Sequence, residues 1–484
     1  MIRPIHKVLI ANRGEIAARI IRTCRRMGIQ TVAVYSEADR QSPHVILADE
    51  AVCIGPPASR DSYLNSAIII QTALDHHADA IHPGYGFLSE NDVFAKAVVE
   101  AGLVFIGPSA ESIRMMGNKL AAKNAAKSFH IPLVPGSDDA ISDMNEARKI
   151  ATHIGFPLLI KAAAGGGGKG MRIVRHADEL DSQVERAMSE ALASFGDGSV
   201  FIEKYISSPR HIEIQVMADK HDHTLHLFER ECSIQRRHQK IVEEAPSSIL
   251  TPEKRQQMGQ DAVMAARSCN YTGAGTVEFL VDENGNHYFL EMNTRLQVEH
   301  PVTEMITGLD LVELQIRIAE GHPLQLNQDE LKINGHALEL RVYAENAAEG
   351  FVPSTGTLIK YQPPVGAGIR VDDGYREGME IPIHYDPMIS KLIVHAPTRI
   401  EAIEKMKEAI DAYEINGVDT TLEFGKFAIT HPDFVSGNFD THFVEKHLAD
   451  FNAQETELHH TLSRFAAWLF EKRKSILVLP TSAR

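Results

Sequence analysis

The chain has 484 residues, which at about 100–200 residues per domain suggests two to four units, and its 44% hydrophobic and 24% charged content is that of an ordinary soluble globular protein. Its formal net charge of −16 argues against broad binding to nucleic acids or anionic membranes, because their phosphates would repel it. Neither a membrane span nor a signal peptide is expected, because no run of about 18 apolar residues occurs and the first residues are polar.

The first 120 residues alternate short apolar runs with helical patterns. Lys7–Ala11 predicts a strand, and Glu15–Met27, after a turn at 12–14, predicts a helix. Further strands are predicted at Thr31–Tyr35, Ala51–Ile54, Ala80–His82 and Val104–Ile106. This βαβ opening predicts a doubly wound α/β domain with a parallel sheet over residues 1–120. The first turn lacks G-x-G-x-x-G, which argues against a dinucleotide site there.

Two further units are predicted before a tail. Residues 121–335 contain glycine-rich and charged strands without regular βα alternation, and residues 336–450 predict strands followed by one long helix. The predicted elements of the latter unit are the strands Ala337–Tyr343, Leu358–Gln362 and Lys391–Val394 and the helix Ile400–Tyr413.

The tail, residues 451–484, contains an amphipathic pattern. Leu458, Leu462, Phe465 and Leu469 recur at helical spacing within 456–474, with Trp468 beside them. Polar residues 452–457 separate this predicted helix from the body. The helix either packs on its own subunit or docks to a partner.

The four cysteines are dispersed and form no C-x-x-C pair: Cys24, Cys53, Cys232 and Cys269. This usage is typical of reduced, structural cysteines, and we expect a cytoplasmic protein. Cys232 lies close in sequence to Arg230 and Arg236, which leaves a reactive thiol open there.

A hairpin is predicted between residues 276 and 293. Asn284-Gly285 is a strong two-residue turn signal between two strand-like runs, and such a turn would pair Glu283 with Asn286. Continuing that register places Glu278 opposite Glu291, where like charges are destabilising. A divalent cation held by both carboxylates would remove the conflict, and oxygen ligands favour Mg²⁺ or Mn²⁺.

Polar residues continue at every second position after the hairpin. If the chain stays extended, one face carries Glu291, Asn293, Arg295, Gln297 and Glu299. Such a row is costly to bury without ligands. A solvated outer face is the alternative, but apolar residues occupy the intervening positions.

Several other segments suit anion binding. The run 165–170, GGGGKG, predicts a flexible hairpin flap over phosphates rather than a Walker A loop, because no Ser or Thr follows the lysine and 171–174 predicts a strand. Lys161 lies at its base. The basic run 236–240 is either a solvated surface or an anion site, and the turn-rich run 82–91 follows a strand, where ligands bind in doubly wound sheets.

Together these residues resemble the biotin carboxylase family of ATP-grasp ligases, over nearly the whole span from Lys7 to about Leu448. The matching motifs are ANRGEIA (11–17), HPGYGFLSEN (82–91), GGGGKG (165–170), ERECSIQRRHQK (229–240) and EMNTRLQVEHPVTE (291–304). The resemblance implies an α/β and α+β multidomain fold. Its parts would be the doubly wound domain, a central ATP-grasp domain with a mobile lid at about 133–205, and a C-terminal mixed β/α biotin carboxylase domain.

The resemblance also implies a site for ATP and metal. The residues that would hold ATP are Lys119, Lys161, Gly165, Gly166, Gly167, Gly168, Lys204, His211, Gln235 and His238. Glu203 and the backbone near Ile206 would meet the adenine. Glu278 and Glu291, with Asn293 nearby, would bind Mg²⁺ or Mn²⁺, in agreement with the hairpin register.

The implied reaction has two steps. Bicarbonate attacks the γ-phosphate of ATP to give carboxyphosphate, which then releases CO₂ for attack by biotin. Bicarbonate would be held by Lys240, Arg295, Gln297 and the backbone of Val298. Glu299 would deprotonate it, Arg341 would stabilise the biotin enolate, and Tyr85 would lie near the biotin pocket.

The resemblance implies partners as well. The nearest string to a biotinylation site, at 405–407, lies inside a predicted helix, so a separate biotin carboxyl carrier protein, a separate carboxyltransferase subunit and a homodimer are expected. The acceptor stays open among acetyl-CoA, propionyl-CoA and pyruvate. Two rivals are another ATP-grasp ligase of the carboxylate–amine type, which would not depend on biotin, and a regulatory subunit that binds nucleotide without turnover.

Overall fold

The computed structural model describes residues 2–163 and 171–476. Among these residues, none of the helices has both the length and the apolar composition required to cross a bilayer. The N-terminal unit consists of β1 (Lys7–Ile10), α1 (Gly14–Arg26), β2 (Gln30–Ser36), α2 (Pro43–Leu47), β3 (Glu50–Gly55), α3 (Ser66–Asp75), β4 (Ala80–His82), α4 (Asp92–Glu100), β5 (Val104–Phe105) and α5 (Ala110–Gly117).

The N-terminal strands form one parallel sheet in the order β3-β2-β1-β4-β5. The prediction of a doubly wound domain is confirmed, and each predicted strand is present within two residues of its expected ends. The strand order reverses between β1 and β4. The runs that follow these two strands, 11–17 and 82–91, therefore meet at the carboxyl edge of the sheet.

The central part begins with α6 (Lys119–Ser128), α7 (Met144–Ile154), β6 (Leu158–Ala162), β7 (Arg172–Val174), α8 (Leu180–Phe195) and β8 (Val200–Lys204). It continues with β9 (Arg210–Ala218), β10 (Thr224–Arg236), β11 (Gln239–Ala245), α9 (Pro252–Ser268), β12 (Gly273–Val281), β13 (His287–Asn293), α10 (His300–Thr307) and α11 (Leu311–Glu320). The strands β7-β6-β8 form a small sheet of their own.

The remaining elements are mostly short. They are β14 (His336–Tyr343), β15 (Glu345–Asn346), β16 (Val352–Pro353), β17 (Gly356–Thr357), β18 (Lys360–Gln362), β19 (Ile369–Asp373), β20 (Glu380–Ile381), β21 (Met388–Ala396), α12 (Arg399–Asp411), β22 (Glu414–Asn416), α13 (Leu422–Thr430), α14 (Pro432–Ser436) and α15 (Phe443–Ile476).

One antiparallel sheet of eight strands dominates the molecule, in the order β13-β12-β9-β10-β11-β14-β21-β19. It crosses the boundary expected between residues 335 and 336, because β11 pairs directly with β14, Val242 opposite Leu340. Helix α9 covers part of one face, where Met258 and Ala262 pack against Ile214 of β9. The sheet holds the polar side chains of several distant segments at fixed spacing on its other face.

Helix α15 runs without a break from Phe443 to Ile476, the last residue of the tail that the structure describes. Phe443 and Phe451 are buried on the body, but Leu462, Phe465 and Trp468 are about half exposed, at 53%, 55% and 52%. The predicted separation at 452–457 is therefore wrong, because Ala, Gln and Glu in that segment favour helix and neither Gly nor Pro interrupts it. The alternative that the helix packs on its own subunit is also wrong for Leu462, Phe465 and Trp468, because their side chains are about half exposed. Docking to a partner stays a prediction.

Candidate active site

A cavity of about 1890 Å³ lies over the polar face of the large sheet. Most of the site residues predicted from the sequence line this cavity: Lys119, Lys161, Glu203, Lys204, Ile206, His211, Gln235, His238, Lys240, Glu278, Glu291, Asn293, Arg295, Gln297, Val298, Glu299 and Arg341. The flap glycines at 165–168 lie outside the described residues. Tyr85 does not line the cavity, and its hydroxyl donates to Glu15 instead.

The hairpin brings Glu278 opposite Glu291, but not through the predicted turn. The connection is a five-residue loop, Asp282–Asn286, so Val281 pairs with His287 and the register near the turn is one residue off. A bulge between Phe279 and Glu278 corrects the offset further along the strands. The two carboxylates therefore meet as predicted, through a longer loop and one compensating bulge.

The carboxylates of Glu278 and Glu291 have different surroundings. Burial opposes ionisation of Glu278, but Lys240 at 3.3 Å and His211 at 3.0 Å hold its pKa below the usual range. Glu291 lines the cavity, and both partial burial and the negative charge of Glu278 raise its pKa. The Asn293 amide donates to Glu278 at 2.9 Å. Two carboxylates with an amide oxygen nearby are a donor set that fits Mg²⁺ or Mn²⁺.

Glu291→Gln is expected to raise the Mg²⁺ concentration needed for half-maximal ATP turnover by roughly tenfold or more, because it removes one charged oxygen ligand. Glu283→Gln is the matched control, since Glu283 is an exposed glutamate at the tip of the same hairpin. Magnesium titrations of ADP release compare the two variants. Equal midpoints for both would refute the role of the carboxylate pair.

The polar row after the hairpin is not an extended strand. β13 ends at Asn293 and a turn precedes α10, yet the later side chains still point into the cavity. Arg295 is held by Glu90, whose Oε2 accepts from its Nε at 2.7 Å. The Gln297 amide donates to Glu278 at 2.9 Å. The alternative of a solvated face is excluded for Gln297 and Glu299, because both are buried.

Glu299 lies between two cations. Lys240 Nζ is 2.5 Å from one of its carboxylate oxygens and Arg341 is 2.8 Å from the other. Burial opposes ionisation, but Lys240, Arg341 and Arg230 together hold the pKa of Glu299 well below its usual range. Glu299 is therefore an ionised carboxylate, able to accept a proton, and each of its cations can also be shared with a bound anion.

The basic run at 236–240 makes a tight turn between β10 and β11. Arg237 and His238 both have positive φ, 49° and 69°, as in the two-residue turns that match strand twist. The turn directs Gln235 and Lys240 inward, where both are buried at the cavity. Lys240 therefore belongs to the site, whereas Arg237 and His238 line the cavity with side chains that stay exposed to solvent.

Lysines surround the other end of the cavity. Lys161 Nζ lies 2.5 Å from Glu203, and Lys123 also pairs with this carboxylate. Lys204 donates to two backbone carbonyls of the loop after α7. The antiparallel pairing of β6 with β7 confirms the strand predicted after the glycine run. A phosphate group bound at this end would compete with Glu203 for the ammonium group of Lys161.

Several residues of the network were assigned no role from the sequence. Arg230 is fully buried and contacts both Glu213, at 2.5 Å, and Gln297, at 2.8 Å. Glu213 also accepts from Lys240 at 2.6 Å. The period-two pattern of β9 identifies Glu213 as a neighbour of His211, but not its partners. Cys232 is buried, and burial raises the pKa of its thiol. The hypothesis of a reactive thiol at Cys232 is therefore wrong.

A pair of buried glutamates lies beneath Arg341. Glu243 and Glu339 stand directly opposite on β11 and β14. Burial raises the pKa of Glu243 to about 7 although Arg341 opposes this, and burial likewise raises the pKa of Glu339 well above its usual value. Neither carboxylate oxygen of Glu339 has a hydrogen-bond partner among the described residues.

The raised pKa values predict a stability that falls as pH rises. The folded protein holds protons that the unfolded chain releases above about pH 4.3, so the free energy of unfolding decreases from that pH through about 7, by roughly 1.4 kcal/mol per pH unit per extra proton. Glu339→Gln is expected to weaken this dependence and to raise the melting temperature at pH 8. The exposed Glu408→Gln is the control. Identical pH–stability curves for the two variants would contradict the assignment.

Known proteins are similar to this chain over most of its length. Three family models match: "Biotin carboxylase, N-terminal domain" at residues 4–113, "Carbamoyl-phosphate synthase L chain, ATP binding domain" at 118–327 and "Biotin carboxylase C-terminal domain" at 339–446. Biotin carboxylase 1 of Bacillus subtilis is 52% identical over 442 residues, 91% of this chain and 98% of that protein.

Longer relatives and solved structures are also similar. The mitochondrial methylcrotonoyl-CoA carboxylase subunit alpha of Arabidopsis thaliana is 52% identical over 93% of this chain, which spans only 62% of that relative. The biotin carboxylase domain dimer of the Hydrogenobacter thermophilus 2-oxoglutarate carboxylase, in complex with MgADP, ADP and bicarbonate, has a TM-score of 0.85 and 50% identity. That match covers 93% of this chain and 99% of the solved one.

Proposed function

This chain belongs to the biotin carboxylase family, and from that premise we propose that the cavity carboxylates biotin on a carrier protein, using ATP, Mg²⁺ and bicarbonate. The observation that carries the proposal is the placement of Glu299 between Lys240 and Arg341, in the same cavity as the Glu278–Glu291 pair. An anion site, a base and a metal-binding carboxylate pair thus lie within reach of one another.

Bicarbonate enters between Lys240 and Arg295, which neutralise it, with Gln297 beside them. Its binding draws the positive charge of Lys240 away from Glu299. The pKa of Glu299 then rises toward the value that a base needs. Glu299 takes the bicarbonate proton as the oxygen attacks the γ-phosphorus, and the bond from that phosphorus to ADP breaks to give carboxyphosphate.

The second step uses Arg341. Carboxyphosphate divides into CO₂ and phosphate, the phosphate takes the proton of the biotin ring nitrogen, and the nitrogen attacks CO₂. Arg341 is positioned for the enolate oxygen by Glu243, which accepts from its Nε at 2.6 Å. The guanidinium is therefore oriented before biotin arrives, which is how preorganised charge lowers a barrier.

The nucleotide end supplies the other charges. Lys119, Lys161 and His238 hold the phosphates, and Glu203 with the backbone at Ile206 meets the adenine. Glu278 and Glu291 hold Mg²⁺, which when bound neutralises charge on the transferring phosphoryl group. Tyr85 stays a proposed neighbour of the biotin pocket, although it does not line the described cavity and its hydroxyl donates to Glu15.

Biotin on a carrier protein is the proposed acceptor of carbon, and a carboxyltransferase subunit is the proposed user of the product. Support comes from Biotin carboxylase 1 of Bacillus subtilis, because the match with this chain covers 98% of that protein's length. A homodimer is proposed because the Hydrogenobacter thermophilus domain is described as a dimer.

Steady-state ADP release by the purified protein tests the function, with Mg²⁺ and bicarbonate present and biotin added or omitted. The proposal predicts stimulation by biotin that disappears when bicarbonate is removed. Turnover that ignores biotin would instead favour a carboxylate–amine ligase. Absence of turnover with a biotinylated carrier protein as well would favour a regulatory subunit.

A further inference from the structure

A second cluster of possible metal ligands lies between α14 and α15, outside the cavity. His431 precedes α14, and His447 and Asp450 lie three residues apart on α15, so they share one helix face. One ligand atom from each of the three lies within 4.8 Å of the others. Ligands of a tetrahedral zinc ion, at about 2.0–2.1 Å from the metal, are about 3.4 Å apart. Small side-chain rotations would therefore bring these three ligand atoms to the spacing that zinc needs.

We propose that His431, His447 and Asp450 bind a divalent transition metal of the zinc class. Imidazole nitrogens favour such ions, whereas Mg²⁺ prefers oxygen ligands alone. The ion would join α14 to the root of α15, at the point where that helix leaves the body.

Asp433 provides the second argument. Its Oδ2 lies 2.9 Å from His447 Nε2, while His447 Nδ1 lies 3.6 Å from Asp450. An Nε2–H donated to Asp433 leaves the Nδ1 lone pair facing Asp450. A carboxylate that orients a histidine in this way is the usual outer partner of a metal-binding imidazole.

An ion pair alone does not explain the cluster. The His431 and His447 rings are 4.0 Å apart between centroids, a poor arrangement if both carried charge. Phe443 packs against both imidazoles, with centroids 5.4 and 4.8 Å away, and fixes their positions. The cost is one long hydrogen bond, 3.2 Å, from the Asp433 backbone to His431.

Zinc titration of the full, chelator-treated chain tests the proposal, with excess Mg²⁺ and ADP present to occupy the Glu278–Glu291 site. We expect one Zn²⁺ per chain from calorimetry and a melting temperature that rises with Zn²⁺. His447→Gln and Asp450→Asn should each weaken binding about tenfold or more, and Asp433→Asn by about 10–100-fold. His153→Gln, which removes an exposed histidine elsewhere, should bind normally.

Asp450 is two-thirds exposed, so Asp450→Asn tests the site without risk to folding. Equal Zn²⁺ affinity in the native chain, His447→Gln and Asp450→Asn would mean an adventitious ion only and would overturn the proposal. No zinc binding below about 100 μM would overturn it as well, since that limit corresponds to only about 5.5 kcal/mol.

Discussion

Arg341→Ala is expected to lower biotin-dependent ADP release by about 100-fold or more, while nucleotide affinity stays within about twofold of native. The guanidinium contacts Glu243 and Glu299. Its loss removes the charge proposed to stabilise the biotin enolate, but no proposed phosphate ligand. Steady-state kinetics and ADP binding by calorimetry separate the two effects.

Arg399→Ala is the matched control for this variant. Arg399 pairs at 2.6 Å with Glu244, the buried neighbour of Glu243 on β11. Both substitutions strand a buried glutamate, which costs about 3–5 kcal/mol, but only one removes a charge from the cavity. A comparable loss of activity in both variants would mean that Arg341 acts through stability alone. Weakened nucleotide binding in Arg341→Ala would contradict its assignment to biotin.

Glu299→Gln is expected to lower the maximal rate of bicarbonate-dependent turnover by about 10²–10⁴-fold, because the amide cannot accept the bicarbonate proton. The KM for bicarbonate should not rise. Removing a carboxylate from beside Lys240 and Arg341 leaves both cations free for the anion. A fall in kcat without a rise in KM distinguishes a base from a binding residue.

Glu229→Gln controls for the loss of a buried glutamate. Glu229 is fully buried, pairs with Arg255 at 2.8 Å and does not line the cavity. The control should retain its maximal rate once stability is accounted for. If Glu299→Gln kept near-native kcat and showed only a raised KM, Glu299 would be a ligand for bicarbonate and another group would be the base.

Patterns along the chain predicted the local structure well. The parallel strands near the N terminus are short apolar runs, and two strand-like runs on either side of Asn284-Gly285 predicted both arms of the hairpin that carries Glu278 and Glu291. The five-residue loop and the bulge next to Phe279 were not predicted. Each shifts the register by one residue, and the two shifts cancel at Glu278 and Glu291, so the predicted pairing of the carboxylates is correct without them. Only the pairing itself reveals them.

Partners that are distant in sequence were beyond such patterns. Arg341 and Glu243 are 98 residues apart, and Arg295 and Glu90 are 205 apart. Neither pair leaves a periodic signal, since each depends on how the sheets assemble. The pairing of β11 with β14 was not predicted for the same reason, and it joins the units expected at 121–335 and 336–450. The unbroken α15 shows the opposite error, in which a polar segment was read as a linker despite its helix-forming residues.

Transfer of labelled carbon from bicarbonate to biotin tests the central claim most directly, with ADP measured in the same reaction. Carboxylation of biotin in this cavity predicts label on biotin only when ATP and Mg²⁺ are both present, and its loss in Arg341→Ala but not in Arg399→Ala. ADP release that leaves biotin unlabelled, with free biotin and with a biotinylated carrier protein alike, would contradict it.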